Sequence, residues 1–336
     1  MNIYGTKTRT VVFDIDGVVA CAPAREGRDR EAQVVNNVTS RFGEEFVKAH
    51  SIEIQGYLHL LYPGIVEFMR WLFRRDVKIH FYSTGARIRN EELVPKIVGM
   101  ALDGETGRSA SDALKDIRIV SREDIAEQKR RNEWIGIPES TVYGGNYHKM
   151  LCPGIVDFRG LPNTLLIDDD ASYMAFGEEY NFVGGKYYEF FFEGNADRNS
   201  PCTDSQFIEL CRVFMFAGIV RKIFDIVDET PSLSVVDASE IVQYGRGPER
   251  YYPEDHTYFA NIYNDFSFYE TGLETLKTVN PCIEFPLPVP DSFRNKPDHP
   301  ARRASDAERF ELRRRLDEDV AEFVKRAACL RMTDQP

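Results

Sequence analysis

Val11-Val12-Phe13-Asp14-Ile15-Asp16-Gly17-Val18-Val19 is the stretch from which the rest of this chain is read. The run Val11 to Phe13 is β-branched and aromatic with no polar relief, the pattern of a strand covered on both faces. Asp14 and Asp16 stand two apart, so along an extended chain both side chains point to one side. Gly17 then lets the backbone turn sharply away. Two like charges this close repel unless a cation neutralises them or one holds a proton. Taken alone, an Asp-x-Asp pair also fits a solvated turn, or the metal–sugar-nucleotide clamp of a glycosyltransferase. The partners further along the chain decide between these readings.

Three such partners follow. Val77-Lys78-Ile79-His80-Phe81-Tyr82 reads as a second core strand and ends in Ser83-Thr84-Gly85, before a helix over Ile88 to Met100. Small hydroxyl residues and a glycine at a strand end suit an anion, and a helix N-terminus adds N–H donors. The same residues would also serve as a plain helix cap. Ile117 to Val120 reads as a further strand. Thr141-Val142-Tyr143 leads into Gly144-Gly145-Asn146-Tyr147-His148-Lys149. A lone lysine is usually solvated, and Lys149 gains meaning only from its place in this series. Thr164-Leu165-Leu166-Ile167 is another buried-strand run, ending in Asp168-Asp169-Asp170. Stacked carboxylates at the end of an apolar strand repeat the logic of the opening stretch. Asp170 reads equally well as a supporting group or as a solvated turn.

Between these points, Val34, Val38, Phe42 and Phe46 recur at four-residue spacing and predict one amphipathic helix. Ile52 to Leu61 predicts a short strand or flap. Tyr62-Pro63-Gly64 opens a helix whose buried stripe is Ile65, Phe68, Met69 and Leu72. Asp124 to Asn132 reads as a charged helix. From Tyr187 the texture changes, with a dense aromatic run to Phe192 and a helix over 206–227. The prolines at 286, 288, 290, 297 and 300 predict an extended linker. Ser305 and Glu308 form a capping box for a terminal helix with the apolar stripe Leu312, Leu316, Val320, Phe323 and Ala327.

Composition narrows the class. The 336 residues suffice for one large domain or two ordinary ones, and 43% hydrophobic with 29% charged residues is usual for a globular protein with a real core. The formal net charge of −12 argues against a generic binder of nucleic acid or anionic membranes. Six cysteines, with no C-x-x-C pair, point to reduced thiols rather than a zinc site or disulfide framework. No signal-peptide apolar region precedes the first strand, and the apolar stretch Phe207 to Phe224 is interrupted by Glu209, Arg212, Arg221 and Lys222, as in a buried helix rather than a membrane span. A cytoplasmic location is the expectation.

Strands ending in Asp14/Asp16, Ser83 and Asp168/Asp169 predict an α/β doubly wound (Rossmann-like) core with a parallel central sheet. Ligands bind there outside the carboxyl ends of the strands. The order of the four clusters resembles the haloacid dehalogenase superfamily, over roughly residues 11–185. Within it the chain is most similar to the RNA polymerase II C-terminal-domain phosphatases and Nuclear-LIM-interactor-interacting-factor-like proteins. Tyr62-Pro63-Gly64-Ile65-Val66-Glu67-Phe68 resembles their R-P-G-x-x-x-F helix start. Gly145-Asn146-Tyr147-His148-Lys149-Met150-Leu151 resembles their G-x-Y-x-K-D-L segment, and Asp168-Asp169-Asp170-Ala171-Ser172-Tyr173 their D-N-S-P-x-S-Y segment, one residue shorter. Val18, Met150 and Asp169 depart from that branch, which usually has threonine, aspartate and asparagine there.

The resemblance implies a Mg²⁺-dependent phosphomonoester hydrolase. Asp14 would be the nucleophile and Asp16 the general acid and base. Ser83, Thr84 and Gly85 would bind the phosphoryl group, with Lys149 balancing its charge. Asp14, the backbone carbonyl of Asp16, and Asp168 or Asp169 would hold the metal. Residues 1–190 would form the core with a small insert at 101–146, 191–285 an accessory region, 286–304 the linker and 305–331 the terminal helix. With a small cap or none, the crevice suits a phosphate presented on a protein, phosphotyrosine or phosphoserine/threonine. A small-molecule phosphatase or phosphotransferase of the same superfamily is the alternative, as is a non-catalytic binding module. The C-terminal region would complete the fold, bind a partner or recruit substrate, and its terminal amphipathic helix is expected to dock on its own domain rather than on a partner.

Overall fold

In the computed structural model, the residues described are 8–21, 28–105, 107, 109–127, 149–170, 173, 175, 178–184, 204–243, 266–285 and 287–294. Five parallel strands make the central sheet: β1 (Thr10–Phe13), β5 (Lys78–Tyr82), β6 (Ile119–Val120), β7 (Thr164–Asp168) and β8 (Phe182–Gly184). Their order across the sheet is β6-β5-β1-β7-β8. The chain thus steps outward from β1 through β5 to β6, returns to the centre, and steps outward again through β7 and β8. This is the α/β doubly wound order, and its reversal beside β1 opens a crevice at the carboxyl ends of β1 and β7.

Register places the predicted clusters on one edge. Phe13 pairs with Phe81 on one side and with Ile167 on the other. The next residues, Asp14, Tyr82 with Ser83 behind it, and Asp168, therefore emerge at the same end of three adjacent strands. Asp14 N–H donates to the Ile167 carbonyl at 2.8 Å, and Ser83 N–H to that of Val120 at 2.9 Å, so the sheet ladder itself fixes both.

A second, antiparallel sheet follows the Gly17 turn. It has the order β2 (Ala20–Cys21), β4 (Tyr57–Leu61), β3 (Ser51–Ile54). The predicted flap is thus a β3–β4 hairpin closed by Gln55 and Gly56, both at positive φ as a tight hairpin turn requires. The single helix predicted through Phe46 is two: α1 (Arg28–Phe42) and α2 (Glu44–Ala49). Gly43, at φ 93° and ψ 163°, occupies backbone space that is essentially glycine-only and breaks the helix there. The apolar stripe survives the break, with the Phe42 and Phe46 rings 4.7 Å apart.

Helix α3 (Ile65–Arg74) starts where Tyr62-Pro63-Gly64 predicts, with Gly64 in the left-handed region. It buries Ile65, Phe68, Met69, Trp71 and Leu72. Phe68 meets Phe13 edge-on at 5.5 Å, so α3 packs directly against the central strand. Burying one such phenyl group is worth about 1.5–3 kcal/mol. Helix α4 (Arg87–Leu102) follows the Ser83-Thr84-Gly85 loop. Helix α5 (Ala110–Asp116) is capped by the Ser109 hydroxyl, which accepts from the Asp112 N–H. The predicted Thr141 strand and Gly144 to His148 lie outside the described residues.

The C-terminal region contributes α6 (Asp204–Glu229), α7 (Val235–Gln243), α8 (Phe266–Lys277) and one helical turn, α9 (Asp291–Arg294), within the stretch expected to be extended. Helix α6 is buried nearly all round from Phe207 to Phe224 and belongs to the same hydrophobic core as β1 and α3. Trp71 of α3 stacks on Phe224 of α6 at 6.0 Å. Helices α6 and α8 cross at two glycines. A methyl group on Gly218 would strike the Phe268 carbonyl, and one on Gly272 the Phe214 carbonyl. The aromatic run from Tyr187 and the terminal helix from Ser305 lie outside the described residues. Among those described, no helix is long and apolar enough to cross a membrane.

Candidate active site

The site is built from groups that would repel one another anywhere else. Asp14, Asp168 and Asp169 are all buried, and each offers one carboxylate oxygen within 4.8 Å of the others. Lys149, wholly buried, lies between two of them. Its Nζ is 2.5 Å from Asp168 Oδ2 and 2.9 Å from Asp14 Oδ1. Removing such charges from water costs several kcal/mol each unless they are paired. One ammonium between two of the carboxylates, with the Arg212 guanidinium 3.8 Å from the third, leaves the pairing incomplete.

The segment carrying Lys149 is tied down from several sides. Its backbone N–H donates to the Tyr173 carbonyl at 2.7 Å, and its ammonium sits 4.9 Å from the Tyr173 ring. The buried Glu178 carboxylate accepts from the N–H groups of Leu151 and Cys152, at 2.7 and 3.0 Å, and fixes the turn that follows. Asp170 donates its N–H to Asp168 Oδ1 at 3.0 Å, orienting that carboxylate from behind.

Electrostatics follow from burial. Burial pushes the Asp14 carboxyl up to about 7 against the opposing pull of Lys149, with Asp168 and Asp16 adding to the rise. Burial also raises Asp168, again opposed by Lys149, and raises Asp169 well above the carboxylate range, opposed by Arg212. Burial works against the charge on Lys149, but Asp14 and Asp168 outweigh it and hold the ammonium firmly protonated. Burial thus works against the ionised form of all three carboxyl groups, and Lys149 and Arg212 oppose it.

The residues fit a divalent cation. Asp169 Oδ2 is buried with no hydrogen-bond partner, and Asp14 Oδ1 accepts no well-directed hydrogen bond despite its nearness to Lys149. Three hard carboxylate oxygens at this spacing suit Mg²⁺. Gly17, at φ +81°, presses its backbone against the Asp169 carboxylate so closely that any side chain there would collide with it.

Asp16 stands apart from this trio. Its side chain is about one-fifth exposed and pairs with Arg89 Nη1 at 2.5 Å. Asp16 Oδ2 is 3.5 Å from Ser83 Oγ. Ser83 Oγ accepts from Gly85 N–H at 3.0 Å and from Arg89 Nη2 at 3.1 Å. Ser83 thus caps its own loop and faces Asp16 at once. Burial of His59 on β4 lowers its pKa, and Arg89 adds to the fall.

Two arginines in this arrangement escape a reading by motif. Arg89 lies in the first turn of α4, where a basic side chain opposes the helix dipole, and that anomaly was the available signal. Arg212 comes from α6. It donates to the Gly17 carbonyl, lies 3.8 Å from Asp169 Oδ2, and its guanidinium is 4.9 Å from the Tyr62 ring.

No family model and no curated protein matches the chain. Among solved structures it is similar to a variant of the fission yeast RNA polymerase II CTD phosphatase Fcp1 bound to beryllium fluoride. That match is 14% identical, covers 80% of this chain and 70% of the other, and has a TM-score of 0.34. A second structure of Fcp1, described as an essential RNA polymerase II CTD phosphatase, matches at 13% identity over 71% of each chain with a TM-score of 0.37.

Proposed function

We propose that this protein is a Mg²⁺-dependent phosphomonoester hydrolase working through an aspartyl-phosphate on Asp14, with phosphorylated protein as its substrate class. The observation that carries the reading is the meeting of Asp14, Lys149, Asp168 and Asp169 at one sheet edge, with carboxylate oxygens within 4.8 Å.

An Asp14 carboxylate oxygen attacks phosphorus, and the bond from phosphorus to the leaving oxygen breaks. Asp16 gives that oxygen its proton. Water then attacks phosphorus, Asp16 takes the water's proton, and the P–O bond to Asp14 breaks to release inorganic phosphate. Lys149 keeps its charge throughout and stabilises the added negative charge on Asp14. The Ser83 hydroxyl has a long contact with Asp16 at 3.5 Å, which a phosphoryl oxygen would replace. Mg²⁺ held by Asp14, Asp168 or Asp169, and the Asp16 carbonyl would offset the repulsion between an anionic nucleophile and an anionic substrate.

Turnover of an artificial aryl phosphate tests the reading. Hydrolysis is expected with Mg²⁺ and is expected to fall about a thousandfold or more without it or in Asp14→Asn, by the usual cost of losing a nucleophile. Turnover that persists in Asp14→Asn would sink the aspartyl-phosphate route.

A further inference from the structure

We infer that Arg212 of α6 is a positioning residue of the metal centre, so that the C-terminal region supplies part of the site. The inference rests on the metal-dependent reading above. Arg212 is only 4% exposed and sits within a stretch of helix otherwise packed with apolar side chains. A guanidinium is expensive to bury in such a place unless it is used. Its partners are the elements of the site. It donates to the Gly17 carbonyl, in the turn that directly follows Asp14 and Asp16. It faces Asp169 Oδ2 at 3.8 Å and lies over Tyr62, next to the Pro63-Gly64 start of α3.

The three contacts form a closed junction. Gly17 touches Asp169, and Arg212 touches both. At 3.8 Å the ion pair is too long for a hydrogen bond, and Asp169 Oδ2 accepts none. Arg212 therefore holds this carboxylate by charge while leaving its lone pairs to a cation. A guanidinium offers its donors in a fixed planar fork, a geometry that the compact ammonium of a lysine does not reproduce.

The test is Mg²⁺ binding measured by calorimetry on the full chain and on Arg212→Met and Arg212→Lys, with circular dichroism as the check on folding. The unchanged chain is expected to bind Mg²⁺. Arg212→Met is expected to bind at least tenfold more weakly with its spectrum unchanged. Arg212→Lys, which keeps the charge but loses the fork, is expected to recover only part of that loss, and it carries the test if the methionine variant does not fold. Equal affinity in a folded variant would overturn the inference. Tighter binding would also overturn it, because Arg212 would then act only by repelling the ion. Absence of binding by the unchanged chain would sink the metal-dependent reading together with this one, which separates the two failures.

Discussion

Asp14 shows how one residue's surroundings set a measurable property of the molecule. Its carboxyl, ordinarily near 3.8, is pushed up to about 7 by burial. The folded, cation-free chain thus holds a proton that the unfolded chain has already lost. That contribution to stability is complete below about pH 3.8 and is lost as pH rises through about 7. A cation competes with the same proton, so its effect grows as the proton leaves. Thermal melts are expected to show a larger upward shift with saturating Mg²⁺ at about pH 8 than at about pH 5.5, since ligand that binds only the folded state stabilises it. Equal shifts at both values would separate the metal from Asp14. Ser83 and Lys149 show the other side of the residue scale. Each had an ordinary reading, as a cap and as a solvated side chain. The structure makes Ser83 no helix cap, since Ala86 is the N-cap of α4 and has no side-chain cap bond; Ser83 instead accepts from Gly85 within its loop and faces Asp16, while Lys149 has no solvent at all.

At the scale of elements, strands were the most legible part of the sequence. Val11 to Phe13, Ile79 to Tyr82 and Leu165 to Ile167 are short, wholly apolar or nearly so, and end in polar clusters, which leaves little else for them to be. The three carboxylates followed, because strand ends in a parallel sheet share an edge, whereas Lys149, which lies on none of the sheet's strands, stood out only by its place in the series of motifs. What escaped was set by contact rather than by period. The break at Gly43 depends on one backbone angle. Strand β8 is three residues long, too short for alternation to register. Arg212 looked like an interruption in an apolar run, and no spacing ties residue 212 to residue 17. The crossing of α6 on α8 is likewise a contact property, made by Gly218 and Gly272. Gly272→Val would force the two backbones apart. It is expected to cost about 1–3 kcal/mol by overpacking, read as a lower denaturation midpoint, and more if the helices cannot adjust.

For the whole molecule, the question is what reaches the crevice. Between β1 and β5 the chain carries α1, α2, the small antiparallel sheet and α3, with no further α/β layer in that interval among the described residues. That suits a phosphate presented on a protein side chain. Against a panel of phosphopeptides, sugar phosphates and nucleotides, higher kcat/KM on the peptides is expected. A preference for the small metabolites would replace this with the second reading, a metabolite phosphatase. A mobile lid in the 86–148 insert would favour that second reading, and residues 106, 108 and 128–148 of it lie outside the described residues.

The hydrogen bond from Arg212 to Gly17 joins residues 195 positions apart. A ribosome makes the acidic strand ends of β1 early and this arginine late. During synthesis, Asp14, Asp16 and the Gly17 turn would leave the ribosome long before Arg212, and that turn would gain its distant partner only once α6 has emerged and docked.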